Sequence, residues 1–320
     1  MRLLLLIAIL VIAPAQGAVI LLYHHVATDT PPSTTTSPKV FLSHMQYLKD
    51  GGFHVVPLSQ VIKEAQGKLT LPDKSVAITF DDGFQDIADN AVPILNKFGY
   101  PYTLFINPDR TTYPRMMSKA TLQKLAKAGA SIGNHTAGHP HLTTLPLEQA
   151  RQAIIDGQLP NHPKWLAWPF GEYSPALEKM AAQMGYVAFG QQSGPAGPWS
   201  SLTALPRFPA AGRYANLDTL KTKLLSLHMP LVSSDTSMIQ GERSPPLTLT
   251  LKSRDPMATL FACYFLGQRV PIVLNGNIIK VPSIALPPGR SRINCTAPSQ
   301  SKPGRYYWWS QAWLSGTGLH

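Results

Sequence analysis

After its first residues the chain has no apolar run long enough to cross a membrane, which excludes a spanning helix from the mature protein. Cysteine is scarce as well: 320 residues contain two, Cys263 and Cys295, both in the last quarter. None follows the N-terminal apolar run, so a lipoprotein anchor is not indicated. Acidic charge is sparse, with 17 Asp and Glu against 28 Lys and Arg and a formal net charge of +11. The basic residues are scattered, with neither a basic stripe nor an interleaved aromatic platform, and that argues against nucleic acid as a partner. A positive field of this kind favours encounter with anionic surroundings such as cell-wall or envelope polymers. There is no internal repeat, and the one low-complexity stretch is the Thr, Ser and Pro loop between Pro31 and Pro38.

What is present begins with an address. Met1-Arg2, an apolar run over residues 3–13 and the small-residue end Ala15-Gln16-Gly17 have the form of a secretory signal peptide over residues 1–17. The expectation is an exported protein, periplasmic or secreted, whose mature chain starts near Ala18. In an oxidising compartment Cys263 and Cys295 are expected to pair, and a loop of that length contributes about 3–4 kcal/mol.

The mature length exceeds what one core usually serves, so a large and a small domain are expected. Over residues 18–235, β-branched runs alternate with segments of helical period. Strands are expected at 18–22, 54–56, 75–80, 102–106, 131–133, 164–168 and 186–189. Helices are expected at 41–50, 58–66, 87–98, 119–128, 147–156, 175–184 and 217–227. Such alternation indicates a parallel sheet closed into a barrel, with its chemistry at the carboxyl ends of the strands. Past Ser244-Pro245-Pro246 the helical period stops, and residues 244–320 read as a small all-β, sandwich-like domain with a hairpin signal at Asn275-Gly276.

Two motifs carry chemistry. Thr79-Phe80-Asp81-Asp82-Gly83 puts adjacent carboxylates where the third strand ends, and His135-Thr136-Ala137-Gly138-His139-Pro140 supplies two imidazoles after the fifth. One carboxylate and two histidines suit a divalent metal, and the second carboxylate is then free to act as a base. Adjacent strand residues point to opposite faces, so both aspartates can share a site only where the backbone turns, which Gly83 permits. The competing reading of the first motif is an ordinary Asp-Asp-Gly turn capping a helix. For the second, Pro140 disfavours a helix, and a loop that folds both rings to one point is expected. His141 is read as structural. The tail aromatics Tyr306 to Trp309 and Trp313 are read as sandwich core with one exposed face, against a sugar-stacking platform.

Together these motifs resemble the first two motifs of the polysaccharide deacetylases, the NodB-homology domain of carbohydrate esterase family 4, over roughly residues 19–228. The resemblance implies a distorted (β/α)7 barrel. It implies that Asp82, His135 and His139 bind a divalent metal, most commonly zinc, and that Asp81 is the base that activates water. Ala167-Trp168-Pro169-Phe170-Gly171 looks like the third motif, whose aromatic backbone N–H meets the oxyanion, a role that falls to Phe170. Two departures stand out. Ala167 occupies the place of an arginine that orients the base, and Arg207 is the candidate substitute, against a plain surface arginine. The late Leu-x-His motif with the general acid is out of step at Leu225-Ser226-Leu227-His228. Tyr23-His24-His25 is similar to the subgroup that deacetylates poly-N-acetylglucosamine, where His24 would assist at the site, against a packed histidine. The expected function is removal of N-acetyl groups from a glycan containing N-acetylglucosamine. An O-acetyl esterase and a non-catalytic glycan-binding protein are the alternatives.

Overall fold

The computed structural model describes residues 17–235 and 237–316, so the expected leader lies outside the described residues apart from Gly17. Seven parallel strands build the larger domain: β1 (Val19–Tyr23), β2 (Ser75–Phe80), β3 (Thr103–Ile106), β4 (Ser131–Asn134), β5 (Trp165–Ala167), β6 (Val187–Phe189) and β7 (Phe208–Pro209). Their order is β7-β1-β2-β3-β4-β5-β6. The two ends of that order nearly meet. Leu205 bridges Phe189 in parallel, its N–H donating to the Ala188 carbonyl at 2.8 Å, while Ala210 N–H reaches Leu22 at 3.0 Å. The extended stretch that contains β7 therefore closes a distorted (β/α)7 barrel.

This closing stretch is not the seventh strand that periodicity indicates. The run at 54–56 does form a short strand, His54–Val55, but it pairs only with Ser75 and Val76 at the start of β2, and β3 takes Thr79 and Phe80 at its end. Pro206 and Pro209 remove two ladder donors from the stretch that closes the barrel, which hides it from a strand pattern.

Alternation along the strands sorts side chains into two cores. Val76, Ile78 and Phe80 of β2 pack outward beneath the helices with Leu21, Leu104 and Phe208. Ala77 faces inward with Ile20, Phe105, Ala167, Phe189 and Leu205. Residues two apart share a face, so the inward row of β2 runs Ala77, Thr79, Asp81, and that of the closing stretch runs Leu205, Arg207. The surrounding helices start where polar caps stand. Ser37 before Pro38–Asp50, Ser118 before Lys119–Lys127 and Ser174 before Pro175–Gln183 each accept a backbone N–H from the first turn.

One helix carries a charge inward. Glu64, in Leu58–Ala65, is 1% exposed. One carboxylate oxygen accepts the Leu71 N–H at 3.2 Å, and the other has no partner among the described residues. Burial pushes its pKa up to about 7 from 4.5. The folded protein thus holds this proton more tightly than the unfolded chain does, and stability falls as pH rises from 4.5 through about 7. Glu64→Gln is expected to stabilise the protein at pH 8 by on the order of 2–3 kcal/mol and to change little at pH 4.5. Urea unfolding at the two pH values checks it, and an equal effect at both would refute it.

The second domain is a sandwich. One sheet orders Leu227–His228, Tyr306–Ser315, Gly289–Pro298, Ala262–Phe265 and Gln268–Val270, with Ile239–Gln240 also on Tyr306–Ser315. The other orders Leu231–Ser233, Leu247–Leu251, Ile278–Val281 and Val273–Asn275. Leu249, Ile279, Ile293 and Trp313 meet between the sheets, and Cys263 and Cys295 are directly opposite one another on neighbouring strands, joined as a disulfide. Strand membership starts at Leu227, inside the stretch expected to belong to the barrel. Asn275 pairs with Ile278, so the tight turn sits on Gly276-Asn277.

The two domains pack together. Trp308 meets Phe208 edge-on at 5.5 Å, and Asp73 of the barrel is gripped by Arg305 at 2.7 and 2.8 Å and Lys302 at 2.6 Å. The tail aromatics thus divide between sandwich core, domain junction and, at Tyr306, an exposed face. No helix among the described residues is long and apolar enough to cross a membrane.

Candidate metal centre

Beyond the last residue of β2 the backbone makes a turn that few side chains tolerate. Asp82 has φ 71° and Gly83 φ 82°, and Gly83 N–H closes back on the Asp81 carbonyl at 2.9 Å. A non-glycine residue held there is strained by about 1–3 kcal/mol. The turn lets the two carboxylates diverge: Asp81 keeps the inward direction of β2, and Asp82 swings toward the loop after β4.

That loop is shaped by three left-handed residues, Thr136 (φ 66°), Gly138 (φ 75°) and His139 (φ 51°). Asn107, just past β3, ties it down by donating to the His135 and Thr136 carbonyls at 2.6 and 2.9 Å. Both rings then face one carboxylate oxygen. Asp82 Oδ1 lies 3.2 Å from His135 Nε2 and 3.4 Å from His139 Nε2, and the three ligand atoms all fall within 4.8 Å of one another.

The chemistry of this donor set asks for a cation. His135 Nδ1 is 2.8 Å from the Ala167 carbonyl, which can only accept, so Nδ1 carries a proton, and in the neutral ring Nε2 presents a lone pair to Asp82. Two acceptors at that distance need a proton or a metal between them. Two donors each about 2.0–2.1 Å from a tetrahedral zinc stand about 3.3 Å apart, the separation these atoms show. The carbonyl behind His135 is the kind of partner that orients a metal-bound imidazole. Burial acts against the charges on Asp82 and His135, but their mutual attraction prevails: Asp82 is held below the usual carboxylate range and His135 is raised. Burial, reinforced by the His135 charge, pushes His139 down to about 4, so its lone pair is free at neutral pH. These residues fit a divalent metal.

Asp81 is fully buried and stands apart from the cluster. Arg207, also 0% exposed, forks onto it, Nη1 to Oδ1 at 2.7 Å and Nη2 to Oδ2 at 2.8 Å. Arg207 is itself fixed by donating to the Gly190 carbonyl at 2.9 Å and lies over the Phe105 ring at 5.4 Å. Burial raises the Asp81 pKa, and the charge and hydrogen bonds of Arg207 together with the charges of His135 and His24 more than offset it, holding the carboxyl below its usual range. Arg207 is therefore an interior residue of the closing stretch and not a surface arginine.

His24, at the end of β1, feels the charges of Asp82, Asp81, Arg207 and His135, and burial keeps its imidazole below the usual value in spite of the aspartates. Phe170 has φ 57°; its ring meets His139 edge-on at 4.5 Å and stacks on His141 at 3.8 Å. Among the described residues no protein acceptor takes its backbone N–H. His141 and Glu172, paired at 2.8 Å, complete this wall. The pattern of the histidine motif left His141 outside, and Glu172 had only its place in Trp-Pro-Phe-Gly-Glu to mark it.

His228 is elsewhere. A Cβ on Gly17 would lie 2.3 Å from the His228 Cβ, which places that ring at the amino end of β1, the far end from Asp81. Its Nδ1 donates to the Pro195 carbonyl at 3.1 Å and its Nε2 accepts from Trp199 N–H at 3.3 Å, so it is a packed histidine. Leu227–His228 pairs with Tyr307 and Trp308 of the tail, and that pairing carries the ring away from the centre.

The same stretch of chain is matched in other proteins. Residues 68–189 match the family model described as polysaccharide deacetylase. YxkH of Bacillus subtilis (strain 168) is 29% identical over 158 residues, 46% of this chain and 55% of that protein. The chain thus spans about half the length of that relative. The poly-beta-1,6-N-acetyl-D-glucosamine N-deacetylase of Escherichia coli (strain K12) is 36% identical over 55 residues, 17% of this chain and 8% of that one. In fold, the chain is similar to the Streptococcus pyogenes deacetylase PplD, solved in complex with acetate. The TM-score is 0.60 at 23% identity, over 65% of this chain and 98% of that one. The residues matched by the family model include both strand ends that build the centre, so in this part the chain is similar to the polysaccharide deacetylases.

Proposed function

We propose that the protein is an exported, metal-dependent hydrolase that removes N-acetyl groups from amino sugars of a polysaccharide outside the cytoplasm. The observation that carries this reading is the division of labour at the end of β2: one carboxylate joins two imidazoles, and its neighbour is held ionised outside them by Arg207. Asp82, His135 and His139 would hold the ion, which we take to be zinc. A divalent ion there lowers the pKa of water and polarises a carbonyl. Asp81 takes the proton of the attacking water, and Arg207 keeps it charged and aimed for that task. The Phe170 N–H, free of protein acceptors, donates to the oxyanion as the amide carbon becomes tetrahedral. His24, an imidazole outside the ion-holding set that feels the charges of both aspartates, assists at the site. The name of the Escherichia coli relative supports an N-acetylglucosamine polymer as the substrate class. The apolar leader and the disulfide support export.

The mature protein with added zinc is expected to release acetate from N-acetylated oligomers of glucosamine, to stop on chelation, and to prefer them over O-acetylated xylan oligomers. Turnover confined to the O-acetylated series would reassign it as an esterase. Glycan affinity without acetate release from either series, at saturating zinc, would leave a binding protein.

A further inference from the structure

A cleft of about 630 Å³ opens where the β domain meets the rim of the barrel. Arg213, Arg290 and Arg292 line it with Tyr214, Gln192 and Ser291, and no carboxylate does. The ion-paired arginines among the described residues are Arg115, Arg151, Arg207 and Arg305, so the three in the cleft have no acidic partner. Arg213 donates to Tyr214 Oη at 2.8 Å. Arg290 donates to the Phe170 carbonyl and, at 3.2 Å, to Gln191 Oε1. Arg292 Nε and Ser291 Oγ are buried with no partner among the described residues, and Ser291 is 6% exposed.

A fourth cation stands behind them. Lys223 is 6% exposed, with Nζ 4.5 Å from the centre of the Tyr214 ring; burial first, then the charges of Arg292 and Arg213, push it down to about 8. Uncompensated like charges and idle donors at the mouth of a cleft are costly in a folded protein and are relieved by an anion that accepts from them. Guanidinium forks match carboxylate and phosphate alike.

The cleft adjoins the metal centre. Gly171 and Gln191 line it, Arg290 holds the carbonyl of Phe170, and the Phe170 ring touches His139. We infer that this cleft is a subsite for an oxyanion, carboxylate or phosphate, carried by the glycan that the protein binds. The inference rests on the glycan reading above and narrows it to acidic polymers, in keeping with a net charge of +11.

The test uses the mature chain with zinc and three sets of N-acetylglucosamine oligomers: neutral, carrying lactyl-ether carboxylates on alternate sugars, and carrying phosphodiesters. Binding is measured by calorimetry and acetate release as kcat/KM. An acidic set is expected to bind about tenfold or more tightly than the neutral one at low salt, and the set preferred identifies the anion. That preference should shrink as salt is raised through about 0.3 M and fall about tenfold in Arg213→Gln/Arg292→Gln. A surface control, Lys127→Gln, should keep it. Equal affinity for neutral and acidic sets with no salt dependence in the native protein overturns the subsite, whatever the variants do. A folded double variant that keeps the full preference overturns it too. Arginine-dependent binding of an acidic set without acetate release from any oligomer would uphold the subsite and sink the deacetylase reading.

Discussion

Asp82→Ala is expected to abolish tight zinc uptake and acetate release together, whereas Asp81→Asn is expected to keep the metal and lose about 10²–10⁴ in kcat. The difference follows from where the two neighbouring side chains point. Asp82 Oδ1 is the atom that both His135 and His139 face, at 3.2 and 3.4 Å. Without it two imidazoles remain, one of them pushed down to about 4 by burial and by its neighbour, and two neutral donors hold a divalent ion weakly. Asp81 has both oxygens on Arg207 and contributes nothing to the cluster. Asparagine keeps one acceptor for the guanidinium but cannot take a proton. Equilibrium dialysis against zinc and an acetate assay, run side by side, separate the two effects. Loss of metal by Asp81→Asn as complete as that by Asp82→Ala would make both carboxylates ligands and remove the separate base. Unimpaired turnover in either variant would refute the assignment.

Much of this arrangement was legible in the residues themselves. Local chemistry dominates at the end of β2, where an apolar strand, two carboxylates and a glycine occur in succession, and in the histidine loop, where Pro140 rules out a helix. The strands at 75–80, 103–106 and 131–134 have strong apolar runs and appear where periodicity puts them. What failed to show depends on contacts distant in sequence. The β7 stretch has two prolines and becomes a barrel strand only because β1 and β6 leave a gap for it. His228 follows a helix that stops at Leu224, and its direction is set by pairing with a strand some eighty residues away. The arginine cleft draws on Arg213 of the barrel and Arg290 and Arg292 of the sandwich, and no local pattern links them. Residues that act through their neighbours in sequence could be read directly, and those that act through closure of the barrel or docking of a domain could not.

Arg207 is where that distinction has its largest consequence, and Arg207→Met is expected to damage stability and catalysis in ways that depend on pH. In the native protein Arg207, the largest contributor beside His135 and His24, holds the Asp81 carboxyl below its usual range against the pull of burial. Stability from this pair is therefore present above the unfolded carboxylate pKa of about 3.9 and is lost as pH falls through the lower folded value. Methionine fills similar space without charge and leaves a fully buried carboxylate alone. Removing one partner of a buried pair costs about 3–5 kcal/mol. Burial then acts unopposed by the guanidinium and raises the Asp81 pKa, so the sign reverses: the variant is least impaired at acid pH, and its deficit grows as pH rises. The proposed reaction needs the ionised carboxylate, so the acid limb of kcat/KM should move to higher pH, with part of the lost activity returning toward pH 9. Arg207→Lys keeps the charge but not the two parallel hydrogen bonds, and should fall between the two. Unfolding and kcat/KM measured from pH 5 to 9 on the three proteins decide the matter. A uniform loss of stability with an unmoved acid limb would reduce Arg207 to a packing residue and leave the base without its partner.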